Sequence, residues 1–441
     1  MKNKSKLIMT VVVAVLIGFP TITYAREPNV YVTGNEGWYF ANLWRNSTAE
    51  RLLHDGMYAG ANSIFVSGRD VFAAGFIAVD TELDLGDMRV PIPRFATLWR
   101  NGVAQRLSDG NFPSAANSVF VSGRDVFVAG YVRTERSINA MLWRNGIAQR
   151  LCAGVARASA NSVFVSGRNV FVAGYEIVVG DSGAQFFATL WRNGTAQRLN
   201  DGRTHARANS VYVSGRDVFV AGWELIAQGE IATLWRNGTA QRLSDGRTRA
   251  SANSVFVSGR DVFVAGYEVN AQGVEVATLW RNGTAQRLSD GRTRASVTSV
   301  YVSGRDVFVV GWEANAQSQV ATLWRNGTAQ RLSDGRTRAT ANSVFVSGRD
   351  VFVAGYEVNA QGVEVATLWR NGAAQRLSDG RTRASATSVY VSGRDVFVVG
   401  YVFTGGGRME RDAILWRNGV AQRLSNNSHM RTEANSVFVT R

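Results

Sequence analysis

Ser254-Val-Phe-Val-Ser-Gly-Arg-Asp-Val-Phe-Val-Ala-Gly-Tyr-Glu268, joined by a short loop to Ala277-Thr-Leu-Trp-Arg-Asn-Gly-Thr-Ala-Gln-Arg-Leu-Ser-Asp-Gly291, is one copy of a unit that fills the chain. The Leu-Trp-Arg-Asn at its centre recurs nine times, with tryptophan at Trp44, Trp99, Trp143, Trp191, Trp235, Trp280, Trp324, Trp369 and Trp416, at spacings of 44 to 55 residues. Each unit reads as four short strands. Ser254 to Ser258 and Asp261 to Tyr267 flank Gly259-Arg260, where glycine in the first central position suits a type II′ hairpin. Ala277 to Arg281 and Ala285 to Leu288 flank Asn282-Gly283, the type I′ signal. The second strand is apolar on both faces, with Val262 and Val264 on one and Phe263, Ala265 and Tyr267 on the other. Such a strand must lie between two neighbours to bury both.

An open superhelical array and a closed ring both satisfy that demand. The first copy starts late: Asn29-Val-Tyr-Val-Thr-Gly-Asn-Glu36 aligns with Asp261 to Glu268, and no Ser-Val-Phe-Val segment precedes it. Near the other end, Ser436-Val-Phe-Val-Thr440 supplies that segment. Matched ends favour the ring. Four strands in about 45 residues, stacked face to face, is the period and content of a β-propeller blade. The expected fold is therefore an all-β propeller of about nine four-stranded blades. Val437 to Val439 would complete the first blade, and the repeat tryptophans would wedge between blades. Nine exceeds the usual range of roughly four to eight, so some strain in closure is expected.

Residues 1–25 read as a signal peptide: Lys2, Lys4 and Lys6, an apolar run from Leu7 to Phe19, and Thr23-Tyr24-Ala25 at the cleavage positions. That leaves 26–441 as one repeat domain, expected to be exported to the periplasm, the cell surface or the medium. After Ala25 no apolar stretch nears the roughly 18 residues of a membrane span. All three lysines fall in the signal, so the remaining 46 arginines face 34 acids, a formal charge of +12. A basic surface favours anionic partners. The unit from Ser244 to Leu288 holds five arginines and four acids, so the excess reads as thin and evenly spread. It lacks the clustered stripe of a nucleic-acid groove, and no specific nucleic-acid partner is expected. The single cysteine, Cys152, stands where other copies have Ser108, Ser244 and Ser289, and reads as a substituted serine.

With Asp261-Val-Phe-Val-Ala-Gly-Tyr-Glu268 and Ala277-Thr-Leu-Trp-Arg-Asn-Gly283 quoted, the unit resembles the tandem repeats of exported bacterial β-propeller proteins, a largely uncharacterised family with VYVAGYE and LWKNG-type copies. The resemblance covers Asn29 to Arg441 and implies fold alone, since that family supplies no catalytic motif. The Trp-Asp dipeptide of WD40 repeats and the paired glycines of kelch repeats are both absent.

In a four-strand meander the 1–2 and 3–4 hairpins emerge on one face. The 2–3 loops and the links between blades emerge on the other, which carries all the variation, and binding residues concentrate on such loops. An aromatic residue follows the second-strand glycine at Phe76, Tyr131, Tyr175, Trp223, Tyr267, Trp312, Tyr356 and Tyr401, where it could stack on a sugar or pack between blades. Glu176, Glu224, Glu268, Glu313 and Glu357 follow and could accept from hydroxyls. The links place Arg203, Arg247, Arg249, Arg292, Arg294, Arg336, Arg338, Arg381 and Arg383 as a cationic rim for carboxylates or phosphates, or as partners of Asp245, Asp290, Asp334 and Asp379. Asp80, Glu82, Asp84 and Asp87 form an acidic loop in the second copy, read as calcium ligands or as the wet side of a hairpin. Histidines are scattered, no spacing suggests a metal site, and no cofactor is expected.

Catalysis needs a few groups in distinct environments, whereas repetition supplies many equivalents of each. The expected function is a non-catalytic exported propeller that binds a glycan or envelope protein on its loop-rich face. The alternatives are a glycan hydrolase or lyase using loops near the ring seam, and a structural surface array.

Overall fold

The computed structural model describes residues 29–440 except 37–39, 47, 52–56, 69, 80–93, 153–155, 181–182, 228, 290–291, 305, 405–409 and 425–431. The described residues form 36 strands and no helix, and so contain no helix long and apolar enough to cross a membrane. The expected signal segment lies outside them. The strands make nine antiparallel meanders. Blade 1 combines Asn29–Glu36, Phe40–Arg45 and Thr48–Arg51 with the terminal strand Thr432–Thr440. Blades 2 to 9 follow in order along the chain, and a single parallel contact, Ile138 with Arg157, joins blades 3 and 4 into one eight-stranded sheet.

The ring closes through its ends. The terminal strand runs antiparallel to Asn29–Glu36, with Val30 opposite Val439 and Val32 opposite Val437. Trp44 Nε1 donates across the same seam to the carbonyl of Leu424 at 2.9 Å. Apolar clusters from both neighbours fill every one of the nine junctions, and each holds a repeat tryptophan that is 0 or 1% exposed.

Blade 6 shows how the unit folds, with its first strand innermost: Ala250–Ser258, Asp261–Val269, Glu275–Arg281 and Thr284–Arg287. Gly259 has φ +60° and Arg260 has no positive φ, as a II′ hairpin requires, while Asn282 and Gly283 at +51° and +84° make the I′ turn. The first strand starts four residues before the Ser254 read from sequence. A β-bulge between Ala252 and Ser254 leaves Asn253 without a partner on the second strand. Across the sheet stands Gly266, where a Cβ would fall 1.9 Å from the Ser251 carbonyl oxygen.

A bulge re-aims a side chain, and here it aims one at the next blade. Asn209 Nδ2 donates to the Ala252 carbonyl at 2.9 Å, joining blades 5 and 6. Equivalent bonds from Asn62, Asn117, Asn161, Thr298, Asn342 and Thr387 stitch the 2/3, 3/4, 4/5, 7/8, 8/9 and 9/1 junctions. At 6/7 and 1/2 the corresponding Asn253 and Asn435 are exposed, and no such bond is present among the described residues. The inner aromatic rings tell the same story. Phe65, Phe120, Phe164, Tyr212 and Phe256 touch in one run, and Tyr301, Phe345, Tyr390 and Phe438 in another, with breaks at the same two junctions.

The propeller is thus two arcs, blades 2–6 and blades 7–9 with 1, stitched at the bulge within and not between; at 6/7 the inner strands meet instead at their hairpin end, where Ser258 Oγ donates to the Gly304 carbonyl at 2.8 Å. At 6/7 the opening coincides with one substitution. Val297 stands where the other inner strands place alanine: Ala116, Ala160, Ala208, Ala252, Ala341, Ala386 and Ala434 are fully buried at the closed junctions, while Ala61 is exposed at 1/2. Extra methyl groups at a filled site cost packing energy or push the neighbour away; Val297 and the facing Ala265 are both only half-buried. Nothing comparable explains the 1/2 opening.

Candidate binding faces

On the hairpin face, each blade ties its two turns together. Asn282 Oδ1 accepts from the Val262 amide at 2.8 Å, its Nδ2 donates to Asp261 Oδ1, and Arg281 donates to Asp261 Oδ2 at 2.5 Å. The same lock recurs at Asp70, Asp125, Asp217, Asp306, Asp350 and Asp395. Hydrogen bonds from the Asn and Arg partners hold the carboxyls of Asp70, Asp125, Asp217, Asp306 and Asp350 below the ordinary range. Adjacent blades engage through a glutamine: a Cβ at Gly283 would fall 2.0 Å from Gln241 Nε2, so this turn needs glycine for space as well as for φ.

On the loop-rich face, Tyr131, Tyr175, Trp223, Tyr267, Trp312, Tyr356 and Tyr401 occupy one register in seven consecutive blades, all half-buried. Each pairs with an alanine on the third strand, as Tyr267 does with Ala277 and Trp312 with Ala321, which leaves room for the ring. Guanidinium groups cover several of them. Arg207 lies 4.5 Å from the Tyr175 centroid and 5.9 Å from that of Trp223, Arg249 lies 5.4 Å from Tyr267, Arg338 5.7 Å from Tyr356, and Arg411 4.4 Å from Tyr401.

Several arginines of these links are also engaged by acids. Arg247 meets Asp245 at 3.7 Å, Arg249 meets Glu275 at 2.9 Å, and Arg336 meets Asp334 at 3.9 Å. Buried Glu364 accepts from both Arg338 and Arg383, linking blades 8 and 9. Arg292 and Arg294 are exposed on the 6/7 link. The glutamates that follow the aromatic residues turn to the other side of their strand. Glu268 accepts from Arg287 at 3.4 Å and Glu176 from Arg198 at 3.3 Å. Burial raises the carboxyls of Glu224, Glu268 and Glu357 above their ordinary range.

A cavity of about 490 Å³ occupies the channel between the inner strands, lined by Phe65, Tyr301, Phe345, Tyr390 and Phe438, and extends toward the 6/7 junction at Phe263, Ala265 and Leu279. Periodicity alone gave no sign of its extension toward 6/7, because that depends on how two particular blades pack. The acidic loop of Asp80, Glu82, Asp84 and Asp87 lies outside the described residues. Among the described residues no group of three or more His, Cys, Asp or Glu could hold a metal ion. Cys152 is buried, its thiol 3.8 Å from Asn139 Oδ1.

No protein-family model matches the chain, and no curated protein sequence matches it. Among solved structures it is similar to a puromycin-hydrolyzing peptidase of Mycobacterium tuberculosis, at 10% identity and TM-score 0.42 over 80% of this chain and 61% of that one. It is similar to dipeptidyl peptidase 4 of Porphyromonas gingivalis, at 10% and 0.46 over 82% and 61%. It is also similar to the β-propeller domain of the Trilobed protease of Pyrococcus furiosus, at 11% and 0.38 over 75% and 98%. The chain spans about three fifths of the length of the first two. The propeller itself rests on the strand order and filled junctions described above.

Proposed function

We propose that this chain is an exported, non-catalytic propeller of the bacterial tandem-repeat kind, binding a glycan or envelope protein across its loop-rich face. The observation that carries this reading is the row of half-buried rings from Tyr131 to Tyr401, repeated at one register around the ring. A partly open aromatic edge offers stacking area at low entropic cost. Repetition adds avidity: a ligand with several equivalent groups would engage several blades at once. Arg249, Arg338 and Arg383, held by Glu275 and Glu364, offer positioned donors beside those rings, with Arg294 and Arg381 exposed nearby. The hydrolase or lyase alternative turns on acids outside the described residues.

The test is retention of envelope glycans and envelope-protein extracts on immobilised protein at low salt. Against wild type stands a triple variant, Tyr267→Ala, Trp312→Ala and Tyr356→Ala. The expected result is a retained ligand whose affinity falls at least tenfold in the variant, with the melting temperature showing the ring intact. A ligand retained equally by both proteins, or no ligand at all, would defeat the reading.

A further inference from the structure

The ion pairs of blade 6 locate its surplus charge. In the unit from Ser244 to Leu288, Asp245 holds Arg247, Glu275 holds Arg249, Asp261 holds Arg281 and Glu268 holds Arg287. Four acids take four arginines, and the fifth, Arg260, has no ion pair among the described residues. Arg260 stands at the tip of the innermost hairpin, exposed, and the aspartate beside it is already occupied by Arg281 and Asn282. Arg124, Arg168, Arg216, Arg349 and Arg394 repeat the arrangement, exposed and without an ion pair among the described residues. In blade 4, Asn169 replaces the aspartate, so Arg192 loses that partner as well. In blade 6 the excess falls on the hairpin face, and these six blades repeat it as a crown around the channel mouth; on the loop-rich side Arg133, Arg136, Arg157, Arg294 and Arg381 are also exposed without an ion pair among the described residues, but scattered over four blades.

A second feature shares that face. The described residues hold five exposed large hydrophobics, and three sit at the tips of 3–4 hairpins: Val103 (74% exposed), Ile147 (78%) and Val420 (72%). Other copies place Thr195, Thr239, Thr284 and Thr328 there. The three belong to blades 9, 2 and 3, one sector spanning the seam. Val179 and Leu225, the other two, lie in 2–3 hairpins of the opposite face. Between blades 5 and 6 the hairpin face also carries a polar depression of about 660 Å³, lined by Arg236, Gln241, Arg260 and Asn282.

We infer that the hairpin face docks on an anionic lipid surface. The arginine crown would meet headgroup phosphates, and Val103, Ile147 and Val420 would enter the interface as apolar anchors. A ring of guanidiniums without ion pairs on one face can meet a planar array of anions all at once, whereas a linear polyanion would have to bend around it. Near an anionic membrane each basic residue contributes about 1 kcal/mol, roughly fivefold in partition, and exposed apolar groups beside a basic patch add burial on top of charge. Docking in this way turns the loop-rich face outward, so the inference does not depend on which ligand that face takes.

The experiment is co-sedimentation of the full chain with phosphatidylcholine vesicles, with and without phosphatidylglycerol. One variant carries R124Q, R168Q, R216Q, R260Q, R349Q and R394Q; a second carries Val103→Thr, Ile147→Thr and Val420→Thr, the residue of other copies. A third, R247Q with R249Q, R336Q and R338Q, alters only the loop-rich face. Wild type is expected to sediment with the anionic vesicles alone at about 0.05 M salt and to be released near about 0.5 M, where screening shortens to a few ångströms. The crown variant should lose at least a hundredfold in partition, the threonine variant several-fold, and the loop-face variant little. Failure of wild type to sediment, or equal sedimentation of the crown variant, would overturn the inference. So would binding of soluble dextran sulfate by wild type and threonine variant alike, with vesicle partition unchanged by threonine, since that marks a site for free polyanions.

Discussion

The 5/6 and 6/7 junctions are built from nearly the same sequence and close differently. At 5/6, Asn209 reaches the Ala252 carbonyl, Tyr212 touches Phe256, and Ala221 and Ala252 are fully buried. At 6/7, Asn253 is exposed, Phe256 and Tyr301 make no ring contact, and Ala265 and Val297 are half-buried. The outer part of 6/7 still holds, with Trp324 fully buried and Gln286 Nε2 donating to the Asn326 carbonyl at 2.6 Å. A blade junction therefore has two separable parts: an outer tryptophan wedge that holds the ring together, and an inner stitch that closes the channel wall.

Removing the terminal strand should produce the largest effect. Deleting 432–441 exposes the partners of Val437 and Val439, each worth about 1.5–3 kcal/mol of burial, and breaks both arcs' connection through blade 1. A drop in cooperative melting, with aggregation from the exposed edge of Asn29–Glu36, is the expected outcome. An unchanged melt would mean that the ring is not closed by its ends.

Trp235→Ala in the closed 4/5 junction should cost about 3–5 kcal/mol, the usual penalty for emptying a filled aromatic site. Trp324→Ala in the open 6/7 junction should cost about as much, because the outer wedge there is equally buried. A clearly smaller loss at Trp324 in denaturant titration would show that wedge and stitch are not separable.

The stitch itself is smaller. Asn209→Ala removes one side-chain bond and should cost about 1 kcal/mol, whereas Asn253→Ala should be near neutral. Val297→Ala sharpens the contrast: the junction should close, Asn253 Nδ2 should reach the residue-297 carbonyl, and the Asn253 mutation should then become costly. A double-mutant cycle measures this coupling directly.

Acid titration should have the mildest effect. The Asp70, Asp125, Asp217, Asp306 and Asp350 carboxyls are depressed by their Asn and Arg partners. Their stabilisation is complete above the unfolded value near about 3.9 and fades as pH falls through the lower folded values. Thermal melting should therefore stay level from neutral pH down to about 4 on account of these groups and decline only below it, alike in open and closed junctions.

Much of this was legible in the sequence. Alternation on the second strand, the two turn dipeptides and the split first copy led to four-stranded blades, a closed ring and buried tryptophans, and the structure shows each. The bulge was missed because Asn253 sits inside an otherwise regular run, and a bulge depends on what stands across the sheet, here Gly266. The hairpin arginines were passed over because the hairpin face is so regular; counting five arginines against four acids in one unit was the available signal.

What the linear chain decided alone is the unit, its turns and its number, because local periodicity and turn chemistry act within a few residues. Which arginine keeps its charge unpaired, and which two of nine junctions part, only the assembled ring decides. Ion pairs select partners by distance across strands, and the fit of two blades depends on all the contacts they share, since 1/2 is open with Ala61 and 6/7 with Val297 at the same position.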